Sequence, residues 1–87
     1  MQKNSLQTSK NFEKRILAQF NRVGKHLLIG EISLETGYSL KIVEAKLNDL
    51  VLRGAVRKLS DDEKSKICLH ALTEAYVLID TEKFEIA

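Results

Sequence analysis

Apolar residues recur every three or four positions in three segments of the chain, the spacing of a helix with one buried side. The segments are residues 11–24, 30–36 and 40–53. The second is short, and its Ile32 and Leu34 would pack against the first. The positions assigned to the buried sides of the first and third helices are Phe12, Ile16, Leu17, Phe20, Val23, Val43, Leu47, Leu50 and Val51. The pattern predicts a three-helix core.

Glycines and a serine mark the boundaries of these helices. Gly37 directly follows the second predicted helix, where its tolerance of a left-handed backbone closes the helix and turns the chain. Ser39 is a good N-cap for the third helix, and Gly54 ends it. Residues 1–10 are expected to be a flexible polar arm, and residues 11–87 a single domain.

Two interpretations are open for the chain after the third helix. In the first, residues 55–59 and 66–70 alternate as strands and form a wing around a charged loop. A last helix would then follow from Thr73 to about Ile79.

In the second interpretation the charged loop is itself a helix. Ser60 and Glu63 have the spacing of a capping box, in which each side chain bonds the other residue's backbone. Residues 76–80 would then pair with residues 84–87 as a closing hairpin.

The composition is that of one globular domain. The chain has 87 residues, of which 44% are apolar and 30% are charged. Its single cysteine, Cys68, excludes a disulfide within the chain. The polar start lacks the apolar core of a signal peptide, and no apolar run approaches the ~20 residues of a membrane span. We therefore expect a cytoplasmic protein that does not contact a membrane.

The net charge of +2 is unevenly distributed. Residues 1–25 carry six basic side chains against Glu13 alone, and residues 60–87 carry seven acids against three lysines. Glu13 and Gln19 are expected on the outward, solvated side of the first helix. The asymmetry either orients the protein towards a polyanion or reflects a set of solvated helix faces.

No residue pattern indicates catalysis or a bound cofactor. Cys68 and His70 lie two positions apart, and only the distant His26 could join them, which is a poor ligand set for zinc. The acids at 61–63 are adjacent, which suits a cap or a loop better than carboxylates facing each other across a cleft. There is no glycine-rich phosphate loop and no nucleophile elbow. We expect no enzyme activity, no metal and no cofactor.

Residues 29–56 combine a short helix, a glycine turn and a capped helix at tight spacing. Residues 47–57 then run leucine, two residues, leucine, three residues, glycine, alanine, valine, arginine. This run resembles the one that ends the recognition helix and opens the wing in winged helix-turn-helix regulators, including MarR-type transcriptional regulators. Leu72-Thr73-Glu74 resembles the step by which many of them leave the second wing strand.

The resemblance implies an α+β, mainly helical fold with a three-helix core, a small β-hairpin wing and a C-terminal helix or hairpin. It also implies a protein that binds double-stranded DNA with its third helix in the major groove. The positions carried over to the turn and that helix are Tyr38, Ser39, Lys41, Ile42, Glu44, Ala45, Lys46 and Asn48. The positions carried over to the wing, where such proteins meet phosphate, are Arg57, Lys58, Lys64 and Lys66.

Two of these positions depart from the family pattern. Glu44 and Ala45 stand where the family has polar or arginine side chains. An acid that faces DNA lowers affinity unless it accepts from a cytosine amino group.

Apolar residues suggest a second surface. Ile42 and Leu52 lie on the flanks of the third helix, where they either pack under the wing or form a dimer or partner surface. The candidate residues for that surface are Phe12, Ile42, Leu52, Tyr76 and Ile79.

Three functions are open at this point, because one fold hosts many functions. The first is a transcriptional regulator that binds double-stranded DNA as a homodimer. The second is a protein-interaction module, or a subunit of a larger complex, that does not bind DNA. The third is an accessory of plasmid or phage replication or partition.

Overall fold

Helices make up most of the part of the chain that the computed structural model describes, residues 5–70 and 72–85. The elements follow in the order α1 (Ser5–Val23), β1 (Leu27–Leu28), α2 (Ile29–Thr36), α3 (Leu40–Leu52), β2 (Val56–Lys58), α4 (Asp61–Lys66), β3 (Ala75–Leu78) and a 3₁₀ turn (Thr81–Lys83). The fold is α+β and mainly helical, as the sequence predicts.

A small antiparallel sheet joins the three strands in the order β1-β3-β2. β3 lies in the centre, with Tyr76 opposite Leu27 on one side and opposite Lys58 on the other. The outer strands come from before α2 and after α3. By pairing with both, β3 ties the two ends of the α2–α3 unit to one sheet.

The turn between α2 and α3 has the geometry that the sequence predicts. Gly37 takes a left-handed backbone (φ 81°), and its N–H donates to the Ser33 carbonyl at 2.9 Å. The Ser33 hydroxyl donates to the Tyr38 carbonyl at 2.6 Å. Ser39 caps α3 by accepting from the Ile42 N–H at 3.3 Å. These bonds set how α2 and α3 cross.

Buried side chains from α1, α2, α3 and all three strands form one core. Its members are Phe12, Ile16, Leu17, Phe20, Leu27, Ile32, Val43, Leu47, Leu50, Ala55, Val56, Tyr76 and Phe84. The predicted core positions of α1 and α3 belong to it or, for Val23 and Val51, pack against it. The prediction for Leu34 is wrong, because this side chain is 87% exposed. Two residues along a helix turn the side chain by about 200°, so Leu34 cannot share the buried side of Ile32.

α1 is longer than the sequence indicates. It begins at Ser5 instead of Asn11, in a stretch without glycine or proline to stop a helix. The expected polar arm is thus helical from Ser5 onwards, and residues 1–4 lie outside the described residues.

Directly after β2 the chain forms a helix, as the second of the two interpretations in the sequence analysis predicts. The Ser60 hydroxyl accepts from the Glu63 N–H at 3.2 Å, and the Glu63 carboxylate accepts from the Ser60 N–H at 2.9 Å. This capping box starts α4, so the charged segment is a helix and the wing strand predicted at 66–70 is wrong. α4 ends at Lys66, and Cys68 then takes a left-handed backbone (φ 61°).

The last strand lies where the first interpretation predicts a helix, over residues 73–79. That helix is wrong, and the strand of the second interpretation is confirmed as β3. Its partners are β1 and β2 and not residues 84–87, because the 3₁₀ turn directs Phe84 into the core instead. Residues 86 and 87 of that predicted hairpin lie outside the described residues.

Alanine substitutions at two glycines distinguish the effect of backbone conformation on stability from the effect of side-chain contacts. A methyl group added at Gly37 or at Gly30 meets no atom within 4 Å, but only Gly37 has a positive φ. Gly37→Ala should therefore lower the free energy of unfolding by about 1–2 kcal/mol. Gly30→Ala, inside α2, should raise it by about 0.5–1 kcal/mol. Urea unfolding of both variants measures this, and equal midpoints would contradict the role given to Gly37.

Candidate nucleic-acid interface

One side of α3 is open to solvent along its whole length. Lys41, Ala45, Asn48 and Leu52 lie three or four residues apart, so they form a line opposite the buried Val43, Leu47 and Leu50. All four are exposed. We call these four residues the α3 stripe. Lys41 makes no ion pair with the described part of the chain.

The residues before the stripe are held by the fold. The Ser39 hydroxyl accepts the cap bond from Ile42, and Ser39 itself is exposed at the start of α3. Tyr38 is half-buried, with its ring 4.3 Å from that of Phe12 in α1. The turn that precedes the stripe is thereby anchored to α1.

Glu44 lies to one side of the stripe, towards β2. The Glu74 carboxylate bonds the Lys58 ammonium at 3.2 Å and raises the pKa of Lys58, and the negative charge of Glu44 adds to the same shift. Glu44 itself is exposed, and it forms no ion pair within the described part of the chain.

Lys46 lies on the other side of α3 and faces Glu13 of α1. The Glu13 carboxylate accepts from Lys46 Nζ at 3.0 Å and from both terminal nitrogens of Arg53, at 2.6 and 3.0 Å. Arg53 also donates to Asp49 at 2.8 Å. We call Glu13, Lys46, Asp49 and Arg53 the Glu13 cluster. A buried carboxylate of the same chain already binds the Lys46 ammonium, so Lys46 does not belong to the α3 stripe, and its assignment to DNA stays a prediction.

The Glu13 cluster also holds the end of the described chain. The Glu85 N–H donates to Glu13 Oε1 at 2.8 Å, and Arg53 donates to the Lys83 carbonyl at 3.1 Å. Phe84, between these two, is buried in the core. One carboxylate thus connects α1, α3 and the segment after β3.

Glu13 is fully buried, yet it is held ionised. Burial opposes the charge, but the hydrogen bonds from Arg53, Glu85 and Lys46 outweigh it and keep the pKa of Glu13 below its ordinary value. The same pairing raises the pKa of Arg53.

Glu13 and Gln19 are both buried, so the prediction that they lie on the solvated side of the first helix is wrong. The signal for Glu13 was present. It precedes Ile16, Leu17 and Phe20 by three, four and seven positions, so it belongs to the apolar stripe itself. The prediction that Glu13 lies on the surface rested only on its charge.

Two of the four cations expected in a wing, Arg57 and Lys64, are bound to acids of the same chain. Arg57 and Glu63 form two hydrogen bonds of 2.7 and 2.8 Å, which lower the pKa of Glu63 to about 2. Lys64 is buried, with its ammonium 3.7 Å from Glu74 and 3.9 Å from Asp61. The placement of Lys64 in an exposed loop is therefore corrected.

The other two expected wing cations, Lys58 and Lys66, lie on different elements. Lys66 is exposed at the end of α4, and Lys58 is paired with Glu74 on β2. The structure therefore does not gather the wing residues into one free basic patch.

The candidate partner surface divides into buried and exposed residues. Phe12 and Tyr76 are core residues, so neither is available to a partner. Burial raises the pKa of Tyr76, whose hydroxyl has no hydrogen-bond partner within the described part of the chain. Ile42, Leu52 and Ile79 are 50%, 87% and 55% exposed and remain candidates.

Comparisons with protein-family models, with curated proteins and with solved structures find no match to this chain. None of the helices in the described part has both the length and the apolar character of a membrane span. Nowhere in residues 5–70 and 72–85 do three His, Cys, Asp or Glu side chains come together as they would around a metal ion.

Removing the central charge of the Glu13 cluster should destabilise the fold. Glu13→Gln leaves Arg53 and Lys46 without their shared carboxylate in a site where their side chains are only 24% and 14% exposed. Their partial access to water limits the loss to about 2 kcal/mol in the free energy of unfolding. Chemical denaturation measures it.

The matched control is Glu85→Gln. Its carboxylate is 58% exposed and 4.0 Å from Arg53, and its backbone N–H is retained, so the change should be below about 0.5 kcal/mol. Equal effects of the two substitutions would contradict the central position of Glu13.

The same carboxylate makes stability depend on pH in a defined direction. The pKa of Glu13 is lower in the folded chain than its ordinary value of 4.5, so the ionised form stabilises the fold above pH 4.5. That contribution is lost as the pH falls from 4.5 through the lowered pKa. In urea titrations at several pH values, the difference between wild type and Glu13→Gln should be constant near pH 7 and shrink below pH 4.5. A difference that persists unchanged in acid would exclude this linkage.

Proposed function

We propose that this chain is a winged-helix-type domain that binds double-stranded DNA through the α3 stripe. Two features of its architecture support the proposal. α2 and α3 form a helix-turn-helix around the left-handed Gly37, and the antiparallel β2 and β3 follow them as wing strands would. The connection between β2 and β3 departs from a simple wing loop, because it contains α4.

The observation that carries the proposal is the chemistry of the exposed stripe. A major groove admits a helix, and each base pair presents a distinct edge there. Asn48 has the amide that pairs with adenine N6 and N7, Lys41 has a cation for guanine or phosphate, and Ala45 is small enough to contact a thymine methyl. Because these three follow one another along one side of α3, they would face successive base pairs.

The ion pairs of the other cations predict how strongly and how selectively the domain binds DNA. Lys46, Arg53, Lys64 and Arg57 are all engaged by carboxylates of the chain. Of the cations expected on α3 and in the wing, only Lys41 and Lys66 are without an ion pair in the described part of the chain, and phosphate neutralisation supplies most non-specific affinity. We therefore infer a weak, base-dependent interaction in each copy, which a second copy on an adjacent half-site would strengthen.

The test removes the two polar groups of the stripe together. Lys41→Ala/Asn48→Ala should weaken binding to a duplex selected from a random-sequence pool at least tenfold, because a good base-edge contact contributes about 1–3 kcal/mol. Gel-shift titration at low salt measures this. The matched control is Lys83→Ala/Asn11→Ala, which removes the same charge and the same amide from exposed positions elsewhere.

The comparison of the two double variants distinguishes base contacts made by the α3 stripe from attraction by positive charge in general. Equal loss in both double variants would show that only charge matters and would contradict readout by α3. Failure of the wild-type chain to bind any duplex at low salt would contradict DNA binding altogether.

A protein-interaction module is the second candidate, and one observation favours it. Leu52 continues the stripe at its C-terminal end and is 87% exposed, and Ile42 beside the stripe is 50% exposed. Large apolar side chains exposed in a group are typical of partner surfaces. On this proposal α3 would pack against another protein, and the wild-type chain would fail to bind any duplex at low salt.

A further inference from the structure

The central strand of the sheet, β3, extends beyond β1 at its C-terminal end. β1 has two residues, and its register places Leu27 opposite Tyr76. In the same register Lys25 would lie opposite Leu78, but the chain forms no strand there. The end of β3 therefore has a neighbouring strand on the β2 side only.

The backbone of Leu78 points to the side that β1 leaves open. The Ile79 N–H donates to the Ala55 carbonyl at 2.8 Å, so the odd-numbered residues of this segment direct their polar backbone groups towards β2. On the β1 side, the Glu74 carbonyl accepts from the Ile29 N–H. Because these directions alternate along a strand, the N–H and C=O of Leu78 face away from β2. Neither group has a hydrogen-bond partner in the described part of the chain.

A groove of about 380 Å³ lies at this open position, between β3 and the C-terminal end of α1. Val77 and Leu78 border it on one side, and Asn21 and residues 24–26 on the other. Phe20 also borders it but is only 3% exposed, so the accessible lining is backbone, polar side chains and the half-buried Val77 and Leu78. An extended peptide matches this lining, because it can add to a strand edge through its backbone while its side chains lie on both faces.

The exposed side of α1 next to the groove carries only positive charge. Lys14 and Arg22 lie on the side of α1 opposite its buried residues, and Lys25 follows at the rim of the groove. All three are exposed, and none forms an ion pair with the described part of the chain. The one acid among residues 11–26 is Glu13, which is buried. We call Lys14, Arg22 and Lys25 the α1 cations.

The two backbone groups of Leu78 distinguish a peptide from other anionic partners. The carbonyl needs a donor and the N–H needs an acceptor, and a residue of an extended peptide offers both. A phosphodiester backbone offers acceptors, so it would leave the Leu78 carbonyl unpaired. The strand edge therefore favours a peptide, and the α1 cations favour an acidic one.

We propose that the groove and the α1 cations together bind an extended acidic segment of another protein. One residue of the segment pairs with Leu78, in line with β1 and antiparallel to β3, and its acidic side chains pair with the α1 cations. These cations span about 16 Å along the helix axis, which is the length of about five extended residues. The proposal does not depend on DNA binding, because none of these residues belongs to the α3 stripe.

The experiment is a titration of the ¹⁵N-labelled chain with a capped hexapeptide of alternating glutamate and valine. Saturable amide shifts should appear at Gly24, Lys25 and Leu78 and be absent from the α3 stripe. At saturation, hydrogen exchange of the Leu78 N–H should slow about tenfold or more, because this group becomes hydrogen-bonded. A hexapeptide of alternating glutamate and proline has the same charge but cannot pair as a strand, so it should leave the Leu78 exchange rate unchanged.

Two matched double variants test the charge. Lys14→Gln/Lys25→Gln should weaken binding of the glutamate–valine peptide about fivefold, because two ion pairs at the surface are lost. Lys66→Gln/Lys83→Gln removes the same charge from exposed positions elsewhere and should leave the affinity unchanged.

Four results would each overturn the proposal. They are the absence of saturable shifts with the glutamate–valine peptide, equal binding of the glutamate–proline peptide, equal effects of the two double variants, and an unchanged exchange rate of the Leu78 N–H at saturation. A DNA duplex that shifts the amides of Gly24, Lys25 and Leu78 at lower concentration than the peptide would also overturn it, in favour of a nucleic acid as the partner of this surface.

Discussion

A single buried carboxylate holds together parts of the chain that are far apart in sequence. Glu13 binds Lys46 and Arg53 of α3 and the backbone of Glu85 near the C-terminus. A carboxylate without these partners would not remain charged inside a core, and without the carboxylate the two cations would lose their buried partner. The packing of α1 against α3, and the position of Phe84 in the core, therefore depend on the ionisation of one side chain.

This arrangement also decides which surface is left for a partner. Lys46 and Arg53 are turned towards α1 by Glu13, while Arg57 and Lys58 are paired across the sheet and α4. Because the cations are engaged at the sides, the outward line of α3 is left with one cation, one amide and small or apolar side chains. A surface of this kind distinguishes partners by shape and hydrogen bonding more than by net charge. The overall charge of +2 is a poor guide to it.

Local signals in the sequence were sufficient for α2, α3 and the turn between them, because Gly37 and Ser39 act on neighbouring backbone groups. The capping box of Ser60 and Glu63 also acts locally, and it identified the start of α4. β3 could not be predicted in the same way. The apolar run at residues 75–78 fits a helix or a buried strand, and the strand forms because β1 and β2 offer pairing partners that are distant in sequence. Glu13 was predicted on the surface because the two cations that hold it ionised in the core, Lys46 and Arg53, lie more than 30 residues away in the sequence.

Mapping the contact of a bound duplex on the protein by NMR tests DNA binding by α3 most directly. The backbone amide shifts along the α3 stripe and the side-chain amide of Asn48 should change, while the resonances of Glu13 and Arg53 keep their positions. Changes confined to the cations of α1, with α3 unaffected, would contradict it. So would a shift of Arg53 that shows Glu13 exchanging its partners for phosphate.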